Sequence, residues 1–372
     1  YKDDECALFM PQTLDDNIYD PVDTKLVAKM HKAITVIQLK LEGQLIERHP
    51  EWGMDKRDIF RMVDFDRGTV TIDGREYELL DSNFPTVRRE EPLALTDAEN
   101  ELMSVLENSF MHSERLNSHI RFLYSKGSMY KAMNGNLLFH GCIPLDEEGR
   151  LQSVTIAGAD YSGKALLDKL DEIANRAYFM QPGAEKDYAA DYMWYLWSGA
   201  RSPLYGKDKM AFFERYFLAD KELQKENYNA YYHYSEQAEV CGRILEMFGL
   251  DPERGHIING HVPVKIKNGE KPVKAGGRLF VIDGGISKAY QKATGIAGYT
   301  LIYDSHSLNL AEHRQFIAGE SEHTPEIHLV ERLERRANIS DTDKGAELLE
   351  QINDLRELLR AYRSGEIKES GR

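Results

Sequence analysis

Cysteine is scarce in this sequence. The 372 residues hold three, Cys6, Cys142 and Cys241, far apart and without a CxxC pair. That pattern argues against a disulfide framework or a cysteine-based zinc site, and it predicts a reducing, cytoplasmic setting. Long apolar runs are missing too: none approaches the roughly 20 residues that span a bilayer, so no membrane partner is expected. The Tyr1–Glu5 opening has neither the basic nor the apolar region of a signal peptide. Positive charge is in deficit, with Lys plus Arg 47 against Asp plus Glu 62 and a net charge of −15. This balance argues against a general nucleic-acid binder, which needs a basic face to neutralise phosphates. An anionic substrate then requires a local cationic or metal-lined pocket. Repeats and low-complexity linkers are absent.

What is present describes a globular chain. Apolar residues make up 42% and aromatics 10%, enough for a sizeable core and two structural units. Residues 24–48 read as a long helix, with Leu26, Met30, Ile34, Ile37, Leu41 and Leu45 at helical spacing. A hairpin follows, in which 69–72 and 76–79 flank the turn dipeptide Asp73-Gly74. Residues 97–125 read as helical, capped by Thr96 with Glu99 three residues on in a capping box. Strands are expected at 136–139, 154–156, 257–258, 279–282 and 299–303, and helices at 163–178, 187–197, 208–217 and 235–248. A charged helix at 343–362 carries Leu348, Ile352, Leu355 and Leu359 on one stripe, which calls for cover by its own domain or by a partner subunit. The expected divisions are a helix-and-hairpin region at 1–130, an α/β region at 131–320 and a charged helical tail at 321–372.

Two strand ends stand out. His140-Gly141 follows one apolar strand, and Asn259-Gly260-His261 follows another. In α/β sheets, side chains just past the carboxyl ends of strands line the ligand crevice. The residue pattern leaves two roles open for these histidines: ligands converging on one metal, or structural hydrogen-bonders. The neighbouring glycines let backbone approach closely.

The stretches NLLFHGCIPL (136–145), GHIINGHVPVK (255–265) and VIDGG (281–285) resemble the later metal-binding motifs of calcineurin-like metallophosphoesterases. Further stretches, including KGSMY (126–130), WSGARSPLYGK (197–207) and TGIAGYT (294–300), make the chain similar to the class III fructose-1,6-bisphosphatases of Firmicutes over about residues 8–318. The resemblance implies an α/β metallophosphoesterase sandwich flanked by helices, of which this chain holds the second half, plus the added helix-and-hairpin region. It implies hydrolysis of the 1-phosphate of fructose 1,6-bisphosphate, a gluconeogenic step, by a two-metal mechanism. His140 and His261 become ligands of a divalent cation, with manganese favoured by imidazole combined with hard oxygen donors. Arg201 and Lys207 become substrate contacts beside Ser202, since a guanidinium suits a phosphate dianion. Asp283 is either an acceptor orienting an imidazole or a tight-turn residue. Lys265, Lys267, Lys271, Lys274 and Arg278 read as a solvated edge more readily than as a second-phosphate site. His256 reads as structural, and the Tyr228–Tyr234 aromatics as packing.

The departures matter as much. The family's DxH, GDxxDRG and GNH motifs are not found. Asp64-Phe65-Asp66-Arg67-Gly68 has no Gly-Asp ahead of it and reads as a turn. With its mid-protein opening, the chain is expected to be the C-terminal part of the enzyme, acting with a separate N-terminal half or as a homo-oligomer. No general acid is identifiable. Alternatives are a non-catalytic regulatory or remnant piece, or another metallophosphoesterase such as a protein phosphatase or a dinucleoside polyphosphate hydrolase.

Overall fold

The computed structural model of the chain describes residues 1–12, 22–285, 293–296, 298–314 and 324–368. Helix α1 spans Thr24–Arg48, and the Asp23 carboxylate caps it by accepting from the Lys25 and Leu26 amides. Its buried face differs from the apolar repeat. Leu26 and Met30 stay 53% and 62% exposed, whereas Ala28, Lys32, Val36, Leu39, Lys40 and Ile46 turn inward. The two lysines explain the discrepancy. Lys32 donates to Asp81 (2.6 Å) and the Glu5 carbonyl (2.5 Å), and Lys40 to Glu99 (2.7 Å) and the Thr86 carbonyl (2.8 Å). A buried ammonium is tolerated when paired in this way, and no hydropathy scale places it inside.

A small antiparallel sheet follows, built from β1 (Val63–Asp64), β2 (Thr69–Ile72) and β3 (Arg75–Glu78). Residues 97–125 are helical as expected, in two helices. Helix α2 (Asp97–Met111) starts in the Thr96–Glu99 capping box, and α3 (Glu114–Lys126) restarts where the Ser113 hydroxyl accepts the Leu116 amide. A second cap inside the segment competes with helix continuation and wins.

The main sheet joins distant parts of the chain. Its order is β4-β5-β8-β10-β9: Tyr130–Met133, Asn136–Phe139, His256–Asn259, Leu279–Val281 and Val273–Lys274. The central strands β5, β8 and β10 are parallel, and the two edges are antiparallel. Between β5 and β8 lie a hairpin (β6, Val154–Ile156; β7, Ala159–Tyr161) and helices α4 (Gly163–Phe179), α5 (Ala184–Ser198), α6 (Phe212–Phe217), α7 (Tyr231–Tyr234) and α8 (Ala238–Met247). Strands β11 (Gly298–Tyr303), β12 (Ser307–His313) and β13 (Glu326–Arg332) form an antiparallel sheet, and α9 (Asp343–Ser364) closes the described chain. β12 and β13 escape sequence reading because they are interrupted by charge: Glu312, Glu326, Glu331 and Arg332 mask the alternation.

Three apolar clusters hold this together. One lies between the main sheet and α8 (Leu137, Ile257, Phe280, Ile244, Leu245) and extends to Leu308 and Leu310 of β12. The second unites Val36, Leu39, Phe60 and Phe84 with Phe213 and Phe217 of α6. The third unites Ile46 and Met54 with Leu166, Leu170, Tyr192 and Leu196. The early helix and hairpin are thus packed against residues more than a hundred positions later. The three cysteines are buried free thiols. Among the described residues, no helix is long and apolar enough to cross a membrane.

Candidate metal centre

Because β5, β8 and β10 run parallel, their carboxyl ends lie along one edge of the sheet. His140 follows β5, Gly260-His261 follows β8, and Asp283 follows β10. The backbone ties these turns into one unit. The His140 carbonyl accepts from both the Gly260 and His261 amides at 3.0 Å, and the Ile282 amide donates to the Asn259 carbonyl at 2.9 Å. The buried Asn259 side chain donates to the Gly141 carbonyl (3.3 Å) and the Tyr231 hydroxyl (2.9 Å). It therefore clamps the two histidine-bearing turns to the core aromatic at the start of α7.

The two imidazoles meet. His140 Nε2 lies 3.0 Å from His261 Nδ1, with ring centroids 4.8 Å apart. Desolvation pulls both pKa values below the ordinary histidine value, and the proximity of His140 lowers His261 further. The Asp283 carboxylate pulls both the other way, as does the Tyr205 main chain that hydrogen-bonds to His261. The outcome is a pair of neutral imidazoles near neutral pH, the state in which histidine is a metal ligand. Asp283 itself holds a turn: its Oδ1 accepts the Gly285 amide at 2.7 Å.

A divalent cation would find two converging nitrogen donors here. Among the described residues, no group of three or more His, Cys, Asp or Glu side chains is placed to hold a metal. The donor set fits part of a coordination shell, since such cations take four to six ligands.

The two histidines are brought together; Arg201 is not brought to them. Arg201 is exposed, with its guanidinium 3.5 Å from the Ser153 carbonyl, and lines a separate cavity of about 530 Å³ with Lys56, Arg57 and Lys209. Lys207 is closer in effect, because its charge reaches His261. Its ammonium is already engaged by Glu226 at 2.7 Å and sits over the Tyr205 and Tyr228 rings. Ser202 is buried and fully occupied: its hydroxyl donates to the Leu196 carbonyl and accepts the Leu204 and Tyr205 amides. The loop it shapes braces the site, since the Pro203 carbonyl accepts the Cys142 amide at 2.9 Å.

The other motif residues have structural occupations. His256 is buried between Asn136 (3.2 Å) and Glu331 (2.9 Å). Asp64 Oδ1 accepts the Asp66 and Arg67 amides, and Gly68 takes φ +66°, so the Asp64–Gly68 stretch is a turn. Lys274 lies on edge strand β9, paired with Glu236 at 2.7 Å. Tyr231 is completely buried. The cavity that His140 does share, about 730 Å³, is lined by Leu123, Tyr124, Lys126, Tyr130, Lys131 and Ile258 among others, and also by Asn259 and Gly260. Lys126 and Lys131 were not legible as site residues, because the strand β4 that carries Lys131 gains its meaning only by pairing with β5.

The profile of the Firmicute fructose-1,6-bisphosphatase family matches residues 1–364. This chain belongs to that family. The fructose-1,6-bisphosphatase class 3 of Clostridium botulinum strain Alaska E43 is 49% identical over 376 residues, covering 99% of this chain and 57% of the relative. The proteins of the same name from Clostridium botulinum strain Langeland and from Clostridium acetobutylicum are 50% and 48% identical, each with 99% of this chain and 56% of the relative covered. The chain thus spans just over half the length of these relatives. No solved structure matches it.

Proposed function

We propose that this chain is part of a fructose-1,6-bisphosphatase and that His140 and His261 are ligands of its divalent-cation centre. The reading rests on one observation above all: two imidazoles, 121 residues apart in sequence, converge to 3.0 Å at the carboxyl ends of the main sheet's parallel strands. The family membership supports the substrate, a sugar bisphosphate, and the reaction, phosphate-ester hydrolysis. The five-stranded sheet is then one half of a metallophosphoesterase-type sandwich. The remaining ligands, carboxylates above all, come from outside the described residues. A divalent cation in such a centre supplies a nucleophile at neutral pH and neutralises phosphoryl charge. The chain's own groups do the rest. Asn259 and the Ser202 loop hold the imidazoles in place, Lys207 adds positive potential beside His261, and Lys126 and Lys131 offer cations to a phosphate entering the adjoining cavity.

Arg201 is a weaker candidate for substrate contact than Lys207, because it opens onto the other cavity. Manganese is the favoured cation, on the ground that imidazole plus oxygen donors suit it. The non-catalytic alternative draws on the incomplete ligand set.

The test is phosphate release from fructose 1,6-bisphosphate with Mn²⁺. The 372-residue chain would be assayed alone and together with the portion of a class 3 relative that it does not cover, with His261→Ala beside each. Activity is expected only in the mixture and falls by about 10²-fold or more in the variant, since losing even a group that merely orients a metal ligand costs roughly 10–100-fold. Activity of the chain alone would overturn the claim of missing ligands, and activity that survives His261→Ala would overturn the metal role.

A further inference from the structure

The C-terminal helix α9 has no packing partner among the described residues. Every residue from Ala346 to Arg360 is exposed. Only its start is fixed. Thr342 caps it by accepting the Gly345 amide, and Asp343 exchanges two hydrogen bonds with Asn134, at 2.8 and 3.0 Å. Gly345 packs so closely under the Ile339 carbonyl that a Cβ there would collide with it. The helix is therefore aimed, yet uncovered along its length. In proteins most of a helix's stability comes from packing an apolar face.

That face has a regular pattern. Leu348, Ile352, Leu355, Leu359 and Tyr362 recur at alternating steps of four and three, the spacing of a helix-pairing seam. Leu349 and Leu358 widen it. All seven are between 40% and 64% exposed, with Leu355 at the middle the most open. Contiguous exposed apolar surface of this kind marks an interaction site.

Charge selects the partner. The first half of α9 carries Asp343, Glu347, Glu350 and Asp354 against one Lys344, and the second half carries Arg356, Arg360 and Arg363 against one Glu357. The two halves are thus net −3 (1 − 4) and net +2 (3 − 1). We propose that α9 pairs antiparallel with α9 of a second copy of this chain. In that arrangement each acidic half lies on the partner's basic half, and the Leu355 seams meet near the two-fold axis. A parallel pair would set like charges side by side. Two-fold self-complementarity is the ordinary geometry of homodimers.

Light scattering on the eluting 372-residue chain tests this. The expected mass is twice 42.7 kDa in the micromolar range. Leu355→Asp with Leu359→Asp should give the monomer while the far-ultraviolet signature of the rest of the fold persists. Reversing the acidic half alone (Glu347→Lys, Glu350→Lys, Asp354→Lys) should weaken pairing by about tenfold or more in Kd at low salt. Adding Arg356→Glu, Arg360→Glu and Arg363→Glu to the same chain should restore it. A monomer throughout the micromolar range would overturn the proposal and assign the seam to another occupant. A dimer indifferent to Leu355→Asp/Leu359→Asp would overturn it as well. Failure of the combined reversal to restore pairing would overturn the antiparallel arrangement.

Discussion

Single side chains decide how this site is read. Three histidines flank the strands of the main sheet, and their surroundings separate them. His140 and His261 face each other at the open edge. His256 is only 7% exposed, at the opposite end of β8. Burial lowers its pKa, against the pull of Glu331. The sign of the consequence follows from linkage. Below the ordinary histidine pKa of about 6.5 the unfolded chain takes up a proton that folded His256 resists, so stability is present above that pH and is lost as pH falls through the lower, folded value. Urea midpoints between pH 7 and pH 5 should therefore drop less in His256→Gln than in the parent chain. An equal drop would show that His256 binds its proton as readily in the fold. This difference in surroundings was partly legible beforehand, because two of the histidines follow strands and His256 begins one. The partners that fix them were not legible. Asn259, Tyr231 and the Tyr205 main chain come from three parts of the sequence and meet only in the folded core.

Elements show where pattern reading succeeds and where it stops. The parallel strands β5, β8 and β10 are short apolar runs bounded by turn residues, and their identity could be read directly. The inward face of α1 could not, because Lys32 and Lys40 occupy it as paired cations. Nor could the break between α2 and α3, where Ser113 supplies a new cap. The two glycines beside the histidines look equivalent in sequence and are not. A Cβ on Gly141 would collide with the Pro203 carbonyl and lie 3.0 Å from that of Leu204, whereas one on Gly260 would meet nothing nearer than 3.7 Å. Gly141→Ala must push the 202–205 loop away from the end of β5, at a cost of about 1–3 kcal/mol. Gly260→Ala should be close to neutral in a urea melt. Equal effects would mean that the loop does not press on the histidine turn.

At the scale of the whole molecule, the early helix and hairpin share two apolar clusters with the segment from 154 to 218, and the main sheet carries the candidate centre on its free edge. The family could be recognised from motifs spread in order along the chain, three of which (136–145, 255–265 and 281–285) cover strands of the main sheet and the turns that follow them. The ligand set could not be completed from them, since two imidazoles are what the described residues bring together. The central claim is that these two nitrogens bind one divalent cation. Its most direct test is a titration of the chain, ¹⁵N-labelled at histidine, with Mn²⁺, following paramagnetic broadening of each imidazole. The account predicts that His140 and His261 broaden first and together, and that His140→Ala protects His261. Uniform broadening of all histidines, or broadening of His261 that is indifferent to the loss of His140, would contradict it.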